Sequence, residues 1–144
     1  MSTQDHVATA RTRIAAPPER IWAVLTDPDR LSKLWFGAEV RTEWQVGTPI
    51  TWDGEWEGKR YQDKGEILAF EPPHRLEFTH FSPLGGKPDV PENYHTLAFS
   101  LSGDGSSTEV TLTQDNNPTA EAATHSQGMW DQLLHGLKEA AEDG

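Results

Sequence analysis

The stretch PTAEAATHSQGMWDQLLHGLKEAAE, residues 118–142, decides the fold. Ala122, Ser126, Met129, Trp130, Leu133, Leu137 and Ala141 recur at the three-, four- and seven-residue spacing of one helical face. Asp131, His135, Lys138, Glu139 and Glu142 fall on the opposite side. The spacing predicts a long amphipathic helix, and such a helix has to bury its apolar stripe against another layer. Gly128 and Gly136 lie inside it, each costing about 1 kcal/mol against Ala. They therefore predict a close approach of another element, a kink, or room left for a ligand.

Upstream, the chain supplies the layer that helix needs. Val7 to Ala15 mixes small residues with Thr and Arg and reads as a first strand. Pro17 and Pro18 open a helix, Glu19 suits its positive end, and Ile21, Trp22, Val24 and Leu25 give it an apolar side. Asp27-Pro28 ends it, and Asp29 is placed to cap a second short helix through Leu31 and Leu34. Val40, Thr42, Trp44 and Val46 then share one strand parity, and Ile50, Trp52, Gly54 and Trp56 another, around a turn at Gly47-Thr48-Pro49. Tyr61 to Phe70 and Arg75 to Phe81 are close enough in sequence to pair antiparallel. A loop from Ser82 to Glu92 follows, and His95 to Leu101, Asp104-Gly105 and Thr108 to Asp115 form a last hairpin. Helices gathered at the two ends of a strand run predict an α+β fold. The expected form is a curved antiparallel sheet of about six or seven strands wrapped around the C-terminal helix. Two short helices follow the first strand, and residues 1–144 make one domain.

Charge and composition exclude several function classes. Lys and Arg total 12 against 23 Asp and Glu, a net charge of -11, which repels phosphate backbones and argues against a nucleic-acid partner. There is no Cys, so disulfides, thiolate nucleophiles and zinc–cysteine sites are excluded. No apolar run approaches a membrane span, and Met1 to His6 lacks the apolar core of a signal peptide. The expectation is a cytoplasmic protein without membrane insertion. The histidines at 6, 74, 80, 95, 125 and 135 show no His-Glu-x-x-His spacing, and no Gly-x-Ser-x-Gly elbow occurs. Gly85-Gly86-Lys87-Pro88 lacks the flanking residues of a phosphate loop. Neither a metal nor a cofactor is expected.

Several segments carry a resemblance. They are Ile14 to Trp22 with Leu25-Thr26-Asp27-Pro28, then Leu31 to Phe36. Gly65-Glu66-Ile67-Leu68 with Pro72-Pro73-His74-Arg75-Leu76 follow, and Gly128 to Leu137 with Lys138 end the set. In these the chain resembles the START-like superfamily of helix-grip fold, also called the polyketide-cyclase-like or SRPBCC group. Within it the sequence is most similar to the family named after the C-terminal domain of the activator of the 90-kDa heat-shock protein ATPase. The usual Gly-Trp pair of the last helix is here Gly128-Met129-Trp130, displaced by one residue. These motifs specify a fold and leave the function open.

Strand parity nominates a pocket. If Leu76 and Phe78 face the long helix, so does His80; if Leu97, Phe99 and Leu101 face it, so does His95. A hairpin joining these strands then brings His80 near His95. Gly65, Ile67 and Ala69 lie beside them, with Asp63 and Tyr61 nearer the mouth, and the same parity points Leu68 and Phe70 outward. Trp44, Trp52, Trp56 and Trp130 partly fill and partly line the space, and Met129 and Leu133 complete the helix wall. Trp22 and Trp35 anchor the two short helices. Asp63, Glu66 and Glu77 otherwise read as solvated carboxylates.

The leading expectation is a non-catalytic binder of a hydrophobic small molecule between the C-terminal helix and the sheet. The resemblance implies a second, a chaperone-associated ATPase activator acting through a protein partner. That activity belongs to larger eukaryotic members with an additional domain, for which this chain has no room. A third is a cyclase or dehydratase using His80, His95 or Asp63. A monomer or weak dimer is expected.

Overall fold

Alternation of apolar and polar residues drives the chain into strands β1 (His6–Ile14), β2 (Glu39–Thr42), β3 (Pro49–Trp56), β4 (Lys59–Glu71), β5 (Arg75–His80), β6 (His95–Gly103) and β7 (Thr108–Asn117). They form one antiparallel sheet in the order β1-β7-β6-β5-β4-β3-β2. Helices α1 (Pro18–Leu25) and α2 (Pro28–Leu34) separate β1 from β2, and α3 (Ala120–Asp143) closes over the sheet. This computed structural model describes residues 6–143 apart from 36, 84, 85, 87 and the side chain of Trp56. Phe36, Gly85, Lys87 and the lining role expected of Trp56 thus lie outside the described residues. Among the described residues no helix is long and apolar enough to cross a membrane.

The expected α+β helix-grip arrangement is the observed one. On the helix-facing side of β1, Ala8, Ala10 and Ile14 are buried. The two alanines are short enough to let α3 come close, and α3 buries Leu133, Leu134, Leu137 and Ala141 in the same core. Gly136 serves the same end, since a Cβ there would lie 3.2 Å from the Leu34 side chain of α2. Gly128 has open space around it. The buried stripe of α3 differs slightly from the sequence expectation: Ala123 is buried, whereas Met129 is 39% exposed. Asp27, not Asp29, caps α2, accepting the Asp29 N–H at 3.0 Å. Pro28 takes the first helical position, where its missing N–H costs nothing. The far end of α3 is tied to β1. Glu142 accepts the Ala15 N–H at 2.8 Å and Lys138 donates to the Arg13 carbonyl at 3.0 Å.

One irregularity in β4 rearranges the predicted faces. Ile67 pairs with Phe78, but Phe70 pairs with Leu76, so a bulge between Ile67 and Ala69 inserts one residue. The extra residue flips the parity. Leu68 points out, 40% exposed, whereas Phe70 turns inward against Trp22 at 5.3 Å and Trp44 at 6.0 Å. Trp44 itself lies beyond the short β2, at a positive φ of 55°.

Candidate small-molecule cleft

The cleft lies where the sheet outruns its apolar side chains. Along β7 the helix-facing series runs Val110, Leu112, Gln114; along β6 it runs Leu101, Phe99, Leu97, His95; along β5 it runs Leu76, Phe78, His80. Each series changes from apolar to polar at the same end of the sheet, under the N-terminal half of α3. Two adjacent lobes result, with His80, Met129 and Trp130 lining both. The outer lobe, about 270 Å³, opens between His95, Gln114, Asn116 and Ser126. The inner lobe, about 170 Å³, runs between Trp35, Trp52, Tyr61 and Asp63.

Each polar side chain is placed by its strand. His80 and His95 are direct partners across β5 and β6. His80 Nε2 lies 2.9 Å from Asp63 Oδ2, so that nitrogen carries the proton and the carboxylate accepts it. The imidazole is further clamped by aromatic rings. It stacks on Trp35 at 6.4 Å and 16°, and meets Trp52 edge-on at 4.7 Å. His95 donates from Nδ1 to the Asp115 carbonyl at 2.9 Å. Trp130, 4% exposed, donates its indole N–H to Gln114 Oε1 at 3.1 Å, which gives a buried amide on an apolar face its partner. Asn116 sits at a left-handed φ of 58°, a conformation Asn tolerates, and its amide holds the Glu92 and Tyr94 carbonyls at the rim.

Two buried polar atoms remain without a partner among the described residues, Trp52 Nε1 and Asp63 Oδ1. They belong to cross-strand neighbours, because Trp52 pairs with Asp63 between β3 and β4. Tyr61 covers Gly54 two residues further along the same strand pair, where any Cβ would collide with its ring. Burial, and secondarily the Asp63 charge, hold the Tyr61 hydroxyl above its ordinary pKa.

Of the nominated lining residues, the fold brings Trp52, His80, His95, Met129 and Trp130 together at the cleft. Ile67, Phe78, Leu97 and Leu133 are instead fully packed in the core. They face the helix as parity requires, but apolar neighbours fill the space there. Trp44 is displaced to the Phe70 end by the short β2. Gly65 contributes backbone rather than lining: a Cβ there would collide with the Thr79 carbonyl. Trp35 was expected only to anchor a short helix. It stacks on His80 and touches Trp52 at 5.4 Å and Trp130 at 5.5 Å, so it is a wall of the site. Asp63 proves to be inward and mostly buried. Gln114 is outside the nominated set, although as a polar residue continuing the Val110, Leu112 parity it carries a signal in the sequence. Among the described residues no group of acidic residues and histidines is arranged to hold a metal.

Comparison with known proteins gives this arrangement its relatives. A family model described as "Activator of Hsp90 ATPase homolog 1-like protein" matches residues 15–142. The chain belongs to this family. The solution structure of ChR145 from Cytophaga hutchinsonii is similar over 99% of this chain and 97% of that one, with 43% identity and a TM-score of 0.86. The Aha1 dimer from Colwellia psychrerythraea matches 95% of this chain and 96% of its own, at 24% identity and a TM-score of 0.73. DynU16, a putative protein in the dynemicin biosynthetic locus, matches 92% of this chain and 46% of its own, at 18% identity and a TM-score of 0.73. The last two likenesses are of fold alone. No curated protein matches the chain. Family membership accounts for the helix-grip frame, and the chemistry of the cleft has to be argued from its own residues.

Proposed function

We propose that the protein binds a small, largely aromatic or apolar molecule in the two-lobed cleft, with its polar groups set against His80, Asp63 and the outer rim. The observation that carries this reading is the space itself, where aromatic residues Trp35, Trp52 and Trp130 meet the His80–Asp63 pair. Lobes of about 270 and 170 Å³ fall below the usual range of about 300–1,000 Å³ for drug-sized ligands, so the cleft favours molecules of one or two rings. A thermal-shift screen of such compounds tests this. A bound compound at a hundredfold excess over its Kd stabilises the fold by about 2.7 kcal/mol. Ser126→Trp, which places an indole in the outer lobe, is expected to abolish the response of ligands reaching that lobe. Shifts unaffected by both Ser126→Trp and Trp52→Phe would locate binding elsewhere and end this reading.

A second reading, acid–base chemistry on the bound molecule, has one observation in its favour. Asp63 orients the His80 ring through Nε2, which leaves Nδ1 available to exchange a proton. Under this reading His80→Gln removes turnover of a bound substrate while binding persists. Unchanged turnover would exclude His80 from the chemistry.

A further inference from the structure

We infer that the outer lobe selects an uncharged primary carboxamide on a small aromatic ring, held between the His80–His95 pair and Gln114. This rests on the reading that the cleft binds a small molecule, and it names the head group. What each polar side chain offers the lobe follows from what its other end already holds. An indole N–H can only donate, so the Trp130 bond engages Oε1 of Gln114 and leaves the amide NH2 as a donor. His95 Nδ1 meets the Asp115 carbonyl and carries the proton there, which leaves Nε2 of the neutral ring as an acceptor. In His80 the roles are exchanged: Nε2 faces Asp63, so Nδ1 is the acceptor. Asn116 and Ser126 spend their donors on the Glu92 and Tyr94 carbonyls and on Asn117 Oδ1. Gln114 Nε2, His80 Nδ1 and His95 Nε2 have no partner among the described residues, and they are not among the sealed unpartnered atoms, which are Trp52 Nε1 and Asp63 Oδ1. They keep accessible surface, and all three residues line the outer lobe.

That lobe is rich in acceptors, and Gln114 is its deepest donor. No Lys or Arg stands among its described lining residues, and Glu92 is at its rim. A carboxylate would set its lone pairs against two imidazole lone pairs with no cationic Lys or Arg to offset them. An ammonium would suit the histidines but would point a positive charge at the Gln114 NH2 and leave that donor unmatched. A primary carboxamide meets all three atoms. Its two N–H bonds diverge, so their acceptors lie roughly 5 Å apart, and His80 and His95 are direct cross-strand partners, whose Cβ atoms start about 4.5–5.5 Å apart. Its carbonyl accepts from Gln114, which pairs with Leu97, one helix-facing step along β6 from His95. Phe81, Met129 and Trp130 supply apolar surface for the ring.

The probes that separate these classes are benzamide, acetophenone, benzoate and benzylamine. Acetophenone keeps the carbonyl and replaces the NH2 by a methyl group; the other two carry the opposite charges on the same ring. Binding is read by calorimetry at about pH 8, above the ordinary range of imidazole titration, and by the ring resonances of His80 and His95. Benzamide is expected to bind tighter than acetophenone by about tenfold, and tighter than either charged probe. His95→Phe is expected to cut the preference over acetophenone to about threefold or less. Gln114→Glu, which keeps an acceptor for Trp130 and loses the NH2, is expected to weaken benzamide and acetophenone by a similar factor. Acetophenone equal to benzamide, or benzoate or benzylamine equal or tighter, overturns the carboxamide assignment and leaves the cleft as a binding site. Benzamide binding that moves neither histidine ring, or no binding of benzamide at all, overturns it as well. The thermal-shift screen then decides separately whether the cleft binds other molecules. A full preference retained in folded His95→Phe overturns the role of His95. The comparison among probes in the unaltered protein needs no variant, so it stands even if either substitution prevents folding.

Discussion

The two halves of α3 lie on the same sheet and do different things. The C-terminal half buries Leu133, Leu134, Leu137 and Ala141 to 2% exposure or less in the main core, where β1, α1 and α2 are the chief neighbours of α3. The N-terminal half buries Ala123 and Trp130, leaves Met129 39% exposed, and spans a cleft floored by His80, His95 and Gln114. The strands beneath are continuous from one half to the other, so the difference comes from side chains. Where the strand series stays apolar the helix seats fully; where it turns polar, the polar groups need partners and the seat stays open. The site is therefore the end of the core, made by the residues that stop filling it.

Substitutions in the two halves test that contrast. Leu137→Ala should be the most damaging, costing about 2–5 kcal/mol in urea unfolding, because its pocket is closed on all sides. A loss under 1 kcal/mol would mean the packed half is looser than its burial indicates. Trp130→Phe keeps a ring at the boundary but removes the N–H donated to Gln114, so it should cost about 1–3 kcal/mol. Pairing it with Gln114→Leu should return part of that loss, since the orphaned carbonyl is then gone; strict additivity would show that the indole–amide bond is not the relevant term. Met129→Ala should cost only about 0.5 kcal/mol, yet alter the response to any cleft ligand, because Met129 walls both lobes. A large stability loss with unchanged ligand response would reverse its assignment from wall to core.

The smallest expected effect concerns the tie at the packed end. Hydrogen bonding from the Ala15 N–H, then from Lys138, holds the Glu142 carboxyl below its ordinary pKa. A depressed folded pKa means stability present above the unfolded value and lost as pH falls through the folded one. Glu142→Gln should therefore be slightly less stable than the parent at neutral pH, with the gap closing in acid. A gap that persists below the carboxylate range would assign it to geometry rather than charge.

Much of this contrast was legible in the chain. Periodicity gave α3 its place, and parity put His80 and His95 on the helix side of neighbouring strands. Gln114 was equally readable as the polar continuation of Val110 and Leu112. Other features required the folded molecule. The bulge in β4 is a single inserted residue that no composition signal marks, yet it sends Phe70 inward and Leu68 out. Trp35 follows a short helix in sequence but stacks on a histidine of β5, the central strand of the sheet.

Local pattern alone determined the elements, their order, the wet and dry faces and the absence of thiol chemistry, because each depends on residues near one another in the chain or on composition. Only tertiary structure decided that Ile67, Phe78, Leu97 and Leu133 pack solidly while Trp52, His80 and Trp130 border a space, and that Asp63 turns inward to hold His80. Whether a buried face is filled depends on volumes contributed by β3 through β7, α2 and α3 together, and no single stretch of sequence carries that sum.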